Sequence, residues 1–183
     1  MLTAIRDGDD GQWSSFSVRV GNPEQVVRLL PSTQGYNTIA VLPGGCNDTT
    51  DYTGCVADRG GVFDPTGSKT WQDVGIYGAG MQANLGYEAV SVDFGIDKVG
   101  LGIVDNENLT FANQVVGGIV ENDFYVGTFG LGTQPTNFST FSEPHTSFFT
   151  TMWEKSIIPS YTWAYTAGAK YRTLSEFILC LLC

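Results

Sequence analysis

Apolar and polar residues alternate from Trp13 to Val20: Phe16, Val18 and Val20 fall on one face, Ser15, Ser17 and Arg19 on the other. A period of two belongs to a β-strand. Gly21-Asn22-Pro23 breaks the alternation before the apolar run from Val26 to Leu30, so the pattern predicts a β-hairpin. A short buried strand follows at Asn37 to Leu42. The stretch from Pro43 to Gly61 reads as turn chemistry throughout, closed most simply by a disulfide between Cys46 and Cys55. Trp71 to Val104 carries two or three strands, including Ala89 to Phe94, whose bends hold glycines and which can form a long hairpin. Leu109 to Glu121 and Phe124 to Gly132 add two more. One helix is predicted, from Thr146 to Pro159: Thr146 or Ser147 caps it, Phe148, Phe149, Met152 and Trp153 form its apolar face, and Pro159 stops it. Tyr161 to Gly168 returns to strand.

The chain has 183 residues, enough for one domain with a substantial core. Its strand pattern occupies residues 13–172. Residues 1–12 read as an extension in which Asp7-Gly8 and Asp10-Gly11 are solvated turns without a strand framework. Residues 173–183 read as an apolar tail outside the fold, too short to span a bilayer as a helix and suggestive of a chain ended early. A formal charge of -10 repels phosphate backbones and anionic lipid heads, so neither nucleic acid nor a membrane surface is an expected partner. Asn47, Asn108 and Asn137 each begin a glycosylation acceptor triplet, which together with the cysteine pair points to a secreted or extracellular protein. The first ten residues contain no apolar signal segment: either the chain starts downstream of one or the protein stays inside.

The order of these pieces resembles the N-terminal lobe of the pepsin-like aspartic peptidases (family A1), above all its divergent fungal members. Ser15 to Leu30 is similar to the family's opening hairpin with its Gly-x-Pro-x-Gln turn. Ser32 to Val41 sits where the active-site loop belongs, and Gly44 to Cys55 where a small disulfide loop follows. Ile76 to Val92 resembles the flap hairpin, Tyr125 to Gly132 the strand-and-turn Phe-Asp-Gly-Ile-Leu-Gly-Leu, and Ser147 to Ser160 the helix after it. The resemblance implies an all-β fold, a partly open barrel or sandwich with one short helix, and a peptide or protein ligand.

In that family two Asp-Thr/Ser-Gly loops, one from each lobe, meet so that two carboxylates share a proton and activate one water. Here Ser32-Thr33-Gln34 falls where Asp-Thr-Gly belongs, and Val126 stands where an Asp precedes the second turn glycine, Gly127. A serine hydroxyl is neutral at any working pH and cannot act as the base. Gln34 also takes the place of a glycine used for backbone freedom, unless Gly35 serves in a shifted turn. No further Asp-Thr-Gly or Asp-Ser-Gly follows Arg172, so the resemblance implies that the second lobe is missing from this chain or belongs to a longer product of which this is part, and a second lobe or a second copy is a candidate partner. The expectation is an aspartic endopeptidase homologue without efficient proteolysis; the alternative is a non-enzymatic peptide-binding or inhibitory protein on the same scaffold. Tyr77, with Gly78, falls at the flap position that closes over substrate in the family, and equally suits an ordinary hairpin tyrosine.

Other constellations point to no cofactor or metal. Cys180 and Cys183 have metal-pair spacing, but there is no second pair and His145 is the lone histidine. Nothing like Gly-x-Ser-x-Gly surrounds Ser32, which argues against a serine hydrolase using His145. The glycines of Gly78 to Ala83 and Gly100 to Asp105 read as β-turns, lacking a phosphate loop's last glycine and helix. Trp13, Trp71, Trp153 and Trp163 are expected to fill the core rather than line a carbohydrate or peptide groove.

Overall fold

The computed structural model describes residues 2–3, 5–7, 13–79, 90–102, 109–121, 125–139, 143–164 and 176–177. Strand β1 (Leu2–Thr3) pairs with β10 (Glu176–Phe177), and β2 (Ile5–Asp7) lies antiparallel to the start of β3 (Trp13–Val20). Asp7 therefore sits on a strand opposite Trp13, where the composition alone suggested a free turn. The expected hairpin joins β3 to β4 (Gln25–Ser32), and Gly21 takes a φ of 86° in the turn between them. Phe16, Val18 and Val20 are fully buried, as their alternation requires.

The opposite face of β3 is buried as well. Its arginine is accommodated by partners: the Arg19 guanidinium donates to Glu24 Oε2 at 2.7 Å, Thr110 Oγ1 at 2.8 Å and the Gly102 carbonyl at 3.1 Å. Lys98 reaches the other oxygen of Glu24 at 3.1 Å. Removing Glu24 would leave the buried Arg19 guanidinium without its counter-charge.

The remaining strands are β5 (Thr38–Val41), β6 (Gln72–Ala79), β7 (Val90–Leu101), β8 (Thr110–Ile119) and β9 (Thr128–Gly130). Strands β3, β4, β9, β5, β8 and β7 follow one another in the sheet, and β3 pairs back onto β7 through Val18–Leu101, Arg19–Gly100 and Val20–Val99. That pairing closes a six-stranded barrel, where a partly open one was expected. Strand β6 is added outside β7, and β2 outside β3.

Apolar clusters cover both faces of the shared strands. Ala40 and Val116 join Phe16, Leu29, Phe129, Phe148, Phe149 and Met152 in the larger cluster. Their sequence neighbours Ile39, Val41 and Val115 join Val92, Phe94, Ile96, Ile119 and Phe138 in the second, with Tyr77 packed against it. Strands buried on both sides read as near-continuous apolar runs, which explains the stretch from Thr38 to Val41.

Among the described residues two α-helices are present where one was expected. Helix α1 (Tyr52–Asp58) lies inside the stretch that looked like uninterrupted turn; Asp51 caps it by accepting from the Gly54 amide at 2.9 Å. Its signal was hidden because none of its residues is buried, so no apolar stripe marks it. Helix α2 (Phe148–Glu154) is capped by Ser147, whose Oγ accepts from the Thr150 amide at 3.1 Å. It ends before Pro159 is reached: Ser156 adopts a left-handed φ of 58°, with the Ile157 amide donating to the Met152 carbonyl and the Ser156 amide to that of Trp153.

The aromatic expectations divide. Trp71 packs half-buried against the larger cluster and lies over Gly95. Trp153 and Trp163 are exposed, so they do not fill the core, and Trp153 is not part of the buried face of α2. Of the strand expected over Tyr161 to Gly168, Tyr161 to Trp163 are not in a strand and Ala164 forms a β-bridge; residues 165–168 lie outside the described residues. No helix among the described residues is long and apolar enough to cross a membrane.

Candidate functional site

Strand β4 ends at Ser32 and β5 begins at Thr38; between them lies β9, parallel to β4 and antiparallel to β5. The five residues linking β4 to β5 must therefore pass around the end of β9. They do so by resting on its backbone. The Leu131 amide donates to the Ser32 carbonyl at 2.9 Å, the Gly132 amide to Gly35 at 2.8 Å and the Gly130 amide to Asn37 at 3.0 Å. A Cβ on Gly130 would lie 2.5 Å from the Tyr36 backbone and one on Gly127 only 2.2 Å from the Ile39 carbonyl oxygen, so glycine alone permits this approach.

Within the turn, Ser32 Oγ accepts from the Gly35 amide at 2.9 Å. The non-glycine residues with positive φ among the described ones are Asn113 and Ser156, so Gln34 keeps an ordinary backbone conformation and points to solvent. Gly35 takes the buried position against Ser32. Thr33 is exposed beside Gln34.

Pairing register places the side chains. Ser32 pairs with Gly130, Leu30 with Thr128, and Ile39 with Thr128, so these residues share the face opposite Phe129. Asn37 lies two residues before Ile39 and accepts, through Oδ1, the hydroxyl proton of Thr136. Two residues on, the Phe138 ring packs 5.3 Å from that of Tyr77 and 5.4 Å from that of Phe94. The segment Thr136–Phe138 thus spans from the Ser32 turn to the β6–β7 hairpin. Tyr77 is half-buried on the second apolar cluster, and Gly78, beside it, is exposed with no atom within 4 Å of where a Cβ would stand.

The chemistry available on this face is that of neutral polar groups. Ser32, Asn37, Thr128 and Thr136 supply hydroxyls and an amide, and the Thr128 Oγ1 is buried without a hydrogen-bond partner. No carboxylate occupies the strand positions Leu30, Ser32, Ile39, Val92, Phe94, Val115, Ile119, Thr128 or Gly130. Asp93 lies on β7 between the inward-facing Val92 and Phe94 and pairs with the exposed Ile76, so it faces the other way. Burial first, and the nearby Asp73 carboxylate second, push its pKa above the ordinary value. Ser32 is bonded inside its own turn, while His145 pairs through its backbone with Thr136 on the adjoining segment. Among the described residues no three His, Cys, Asp or Glu side chains gather closely enough to hold a metal ion.

The disulfide between Cys46 and Cys55 is formed. Asn47 and Asn137 are exposed, as glycan acceptors must be, whereas Asn108, Cys180 and Cys183 lie outside the described residues. Reading the sequence did not single out Asn37, Thr128, Thr136 or Phe138 for this face. The signal available for Phe138 was a lone apolar residue inside a polar acceptor triplet, Asn137-Phe138-Ser139.

No protein-family model matches the chain, and none of the curated proteins is significantly similar to it in sequence.

Proposed function

We propose that this chain is a catalytically degenerate relative of the pepsin-like aspartic peptidases, built on their N-terminal lobe, and that it holds an extended peptide or protein segment along the face from Ser32 to Tyr77 without cleaving it. One observation carries the reading. The two segments similar to that family's active-site loop and to its strand-and-turn, Ser32 to Val41 and Tyr125 to Gly132, are distant in sequence, yet β9 lies between β4 and β5 with the Ser32 turn resting on it. A hydroxyl stands at the position that would activate water. Loss of general acid–base chemistry alone removes about 10²–10⁴-fold in rate, and more when two groups act as a unit. Secretion belongs to the same reading, motivated by the disulfide and the exposed Asn47 and Asn137.

The test has two arms. Purified chain incubated with an unfolded protein at acid pH is expected to release no fragments; pepstatin-sensitive cleavage would overturn the loss of activity. A library of extended peptides is expected to yield saturable ligands whose affinity drops when Tyr77→Ala removes the ring beside Phe138. Absence of any such ligand would overturn the binding role.

A further inference from the structure

Helix α1 buries none of its residues, so hydrophobic packing does not hold it in place. Its attachments are Cys55, bonded to Cys46, and the residues that leave its C-terminus. The first of these is Arg59, whose side chain has no exposed surface. The guanidinium donates to three backbone carbonyls: Glu121 at 2.7 Å, Gly45 at 2.8 Å and Tyr125 at 2.9 Å. It also lies 5.5 Å from the centre of the Tyr125 ring. A Cβ on Gly45 would come within 2.5 Å of Arg59 Nη1, so the glycine next to Cys46 makes room for this grip.

Two of the carbonyls gripped by Arg59, those of Glu121 and Tyr125, frame the link from β8 to β9. Just beyond it, Gly127 accepts from the Leu30 amide at 2.9 Å and Gly130 supports the Ser32 turn. The end of α1 holds the neighbouring strand too: the Gly60 carbonyl accepts from the Arg28 amide at 2.6 Å, and the Ala57 carbonyl accepts from Arg28 Nη2 at 2.6 Å. Strand β4 directly, and β9 through the link that precedes it, are thus fastened to the end of one otherwise unburied helix.

We infer that Arg59 is a positioning residue through which the Cys46–Cys55 disulfide sets the geometry of the Ser32 turn, so that the turn is built in the oxidised chain and released in the reduced one. The reductant is a dithiol. Its thiolate attacks Cys55 Sγ, and Cys46 leaves as a thiolate that takes up a proton. The second thiol then displaces Cys55, so the protein gains two electrons and two protons while the reductant becomes a cyclic disulfide. Cys55 is the half-exposed member of the pair, whereas Cys46 is fully buried. The coupling stands on hydrogen bonds alone and is independent of any peptide ligand.

Amide hydrogen exchange tests it. Gly35, Gly130, Leu131 and Gly132 report on the turn; Val92 and Phe94 in β7 and Thr151 and Lys155 at α2 serve as controls. With dithiothreitol, or in the Cys46→Ala/Cys55→Ala chain, the turn amides are expected to exchange about tenfold faster or more relative to the controls, which shift only as far as global stability does. Arg59→Lys, left oxidised, is expected to do the same, because a single ammonium cannot span three carbonyls. The decisive arm combines the two changes: reduction of Arg59→Lys should speed the turn no further. Turn amides that stay protected on reduction, controls that are lost together with the turn, or additive effects of the two changes would each overturn the coupling.

Discussion

The two α-helices have the same length, seven residues, and each is capped by a side-chain oxygen, yet they are held by different means. Helix α2 buries Phe148, Phe149 and Met152 in the larger core cluster, and Thr151 is buried as well. Helix α1 buries nothing and is stapled by Cys55 at one point and by the bonds of Arg59 and Gly60 at another. An isolated helix this short is unstable in water, so each needs an external hold, and apolar area is only one way to provide it. Area spreads stability over many weak contacts; a staple concentrates it in a few groups. The first should yield gradually to mutation and the second at single points.

Phe149→Ala should have the largest effect. The side chain is 1% exposed, and deleting a buried ring costs about 3–5 kcal/mol in unfolding free energy. The matching truncation in α1, Val56→Ala, should cost below about 1 kcal/mol, since the residue is not buried. Urea titrations of the two variants measure the contrast, and equal losses would break it.

Next comes the staple itself. Cys46→Ala/Cys55→Ala opens a loop of nine-residue separation, for which loop entropy predicts a loss of about 2–3 kcal/mol. Thermal unfolding followed by circular dichroism should show the loss, and a midpoint unchanged from wild type would mean that the bonds of Arg59 and Gly60 hold α1 unaided.

The caps sharpen the comparison because they are chemically alike. Ser147→Ala and Asp51→Ala each remove one acceptor from a first-turn amide, and each should cost about 1 kcal/mol. If hydrogen exchange shows local fraying at α1 and not at α2, the buried face of α2 is compensating for its lost cap.

The smallest effect belongs to a third region, the paired strands β6 and β7, where the titration of one carboxylate rather than an apolar face or a staple is at issue. Asp93 has its pKa raised in the folded state by burial and by Asp73. The fold therefore favours the protonated form, and this group's contribution to stability is lost as pH rises from the ordinary carboxylate value through the raised one. Asp93→Asn should flatten the pH dependence of the melting temperature across that window. An unchanged slope would show that another group sets it.

Much of the strand framework was legible along the chain. The β3–β4 hairpin followed from alternation and a glycine-proline turn, α2 from Phe148, Phe149 and Met152 behind a Thr146 or Ser147 cap, and the disulfide from two cysteines in one turn-rich stretch. These features are local, and their causes lie within a few residues of one another. Helix α1 was not legible because the period of an unburied helix carries no apolar signal. Trp153 and Trp163 were misplaced in the core because hydrophobicity ranks a side chain's tendency to be buried, not whether its position faces a neighbour.

At the candidate site the division is sharper. Sequence alone determined that Ser32, and no carboxylate, occupies the turn after β4, because a residue's chemistry is its identity and needs no partner. Only the tertiary structure decided that β9 enters between β4 and β5, that β3 closes onto β7, that Thr136 bonds Asn37, that Phe138 meets Tyr77, and that Arg59 reaches Tyr125. Each of those pairings joins residues tens of positions apart, and no local propensity encodes a contact whose second half lies elsewhere in the chain.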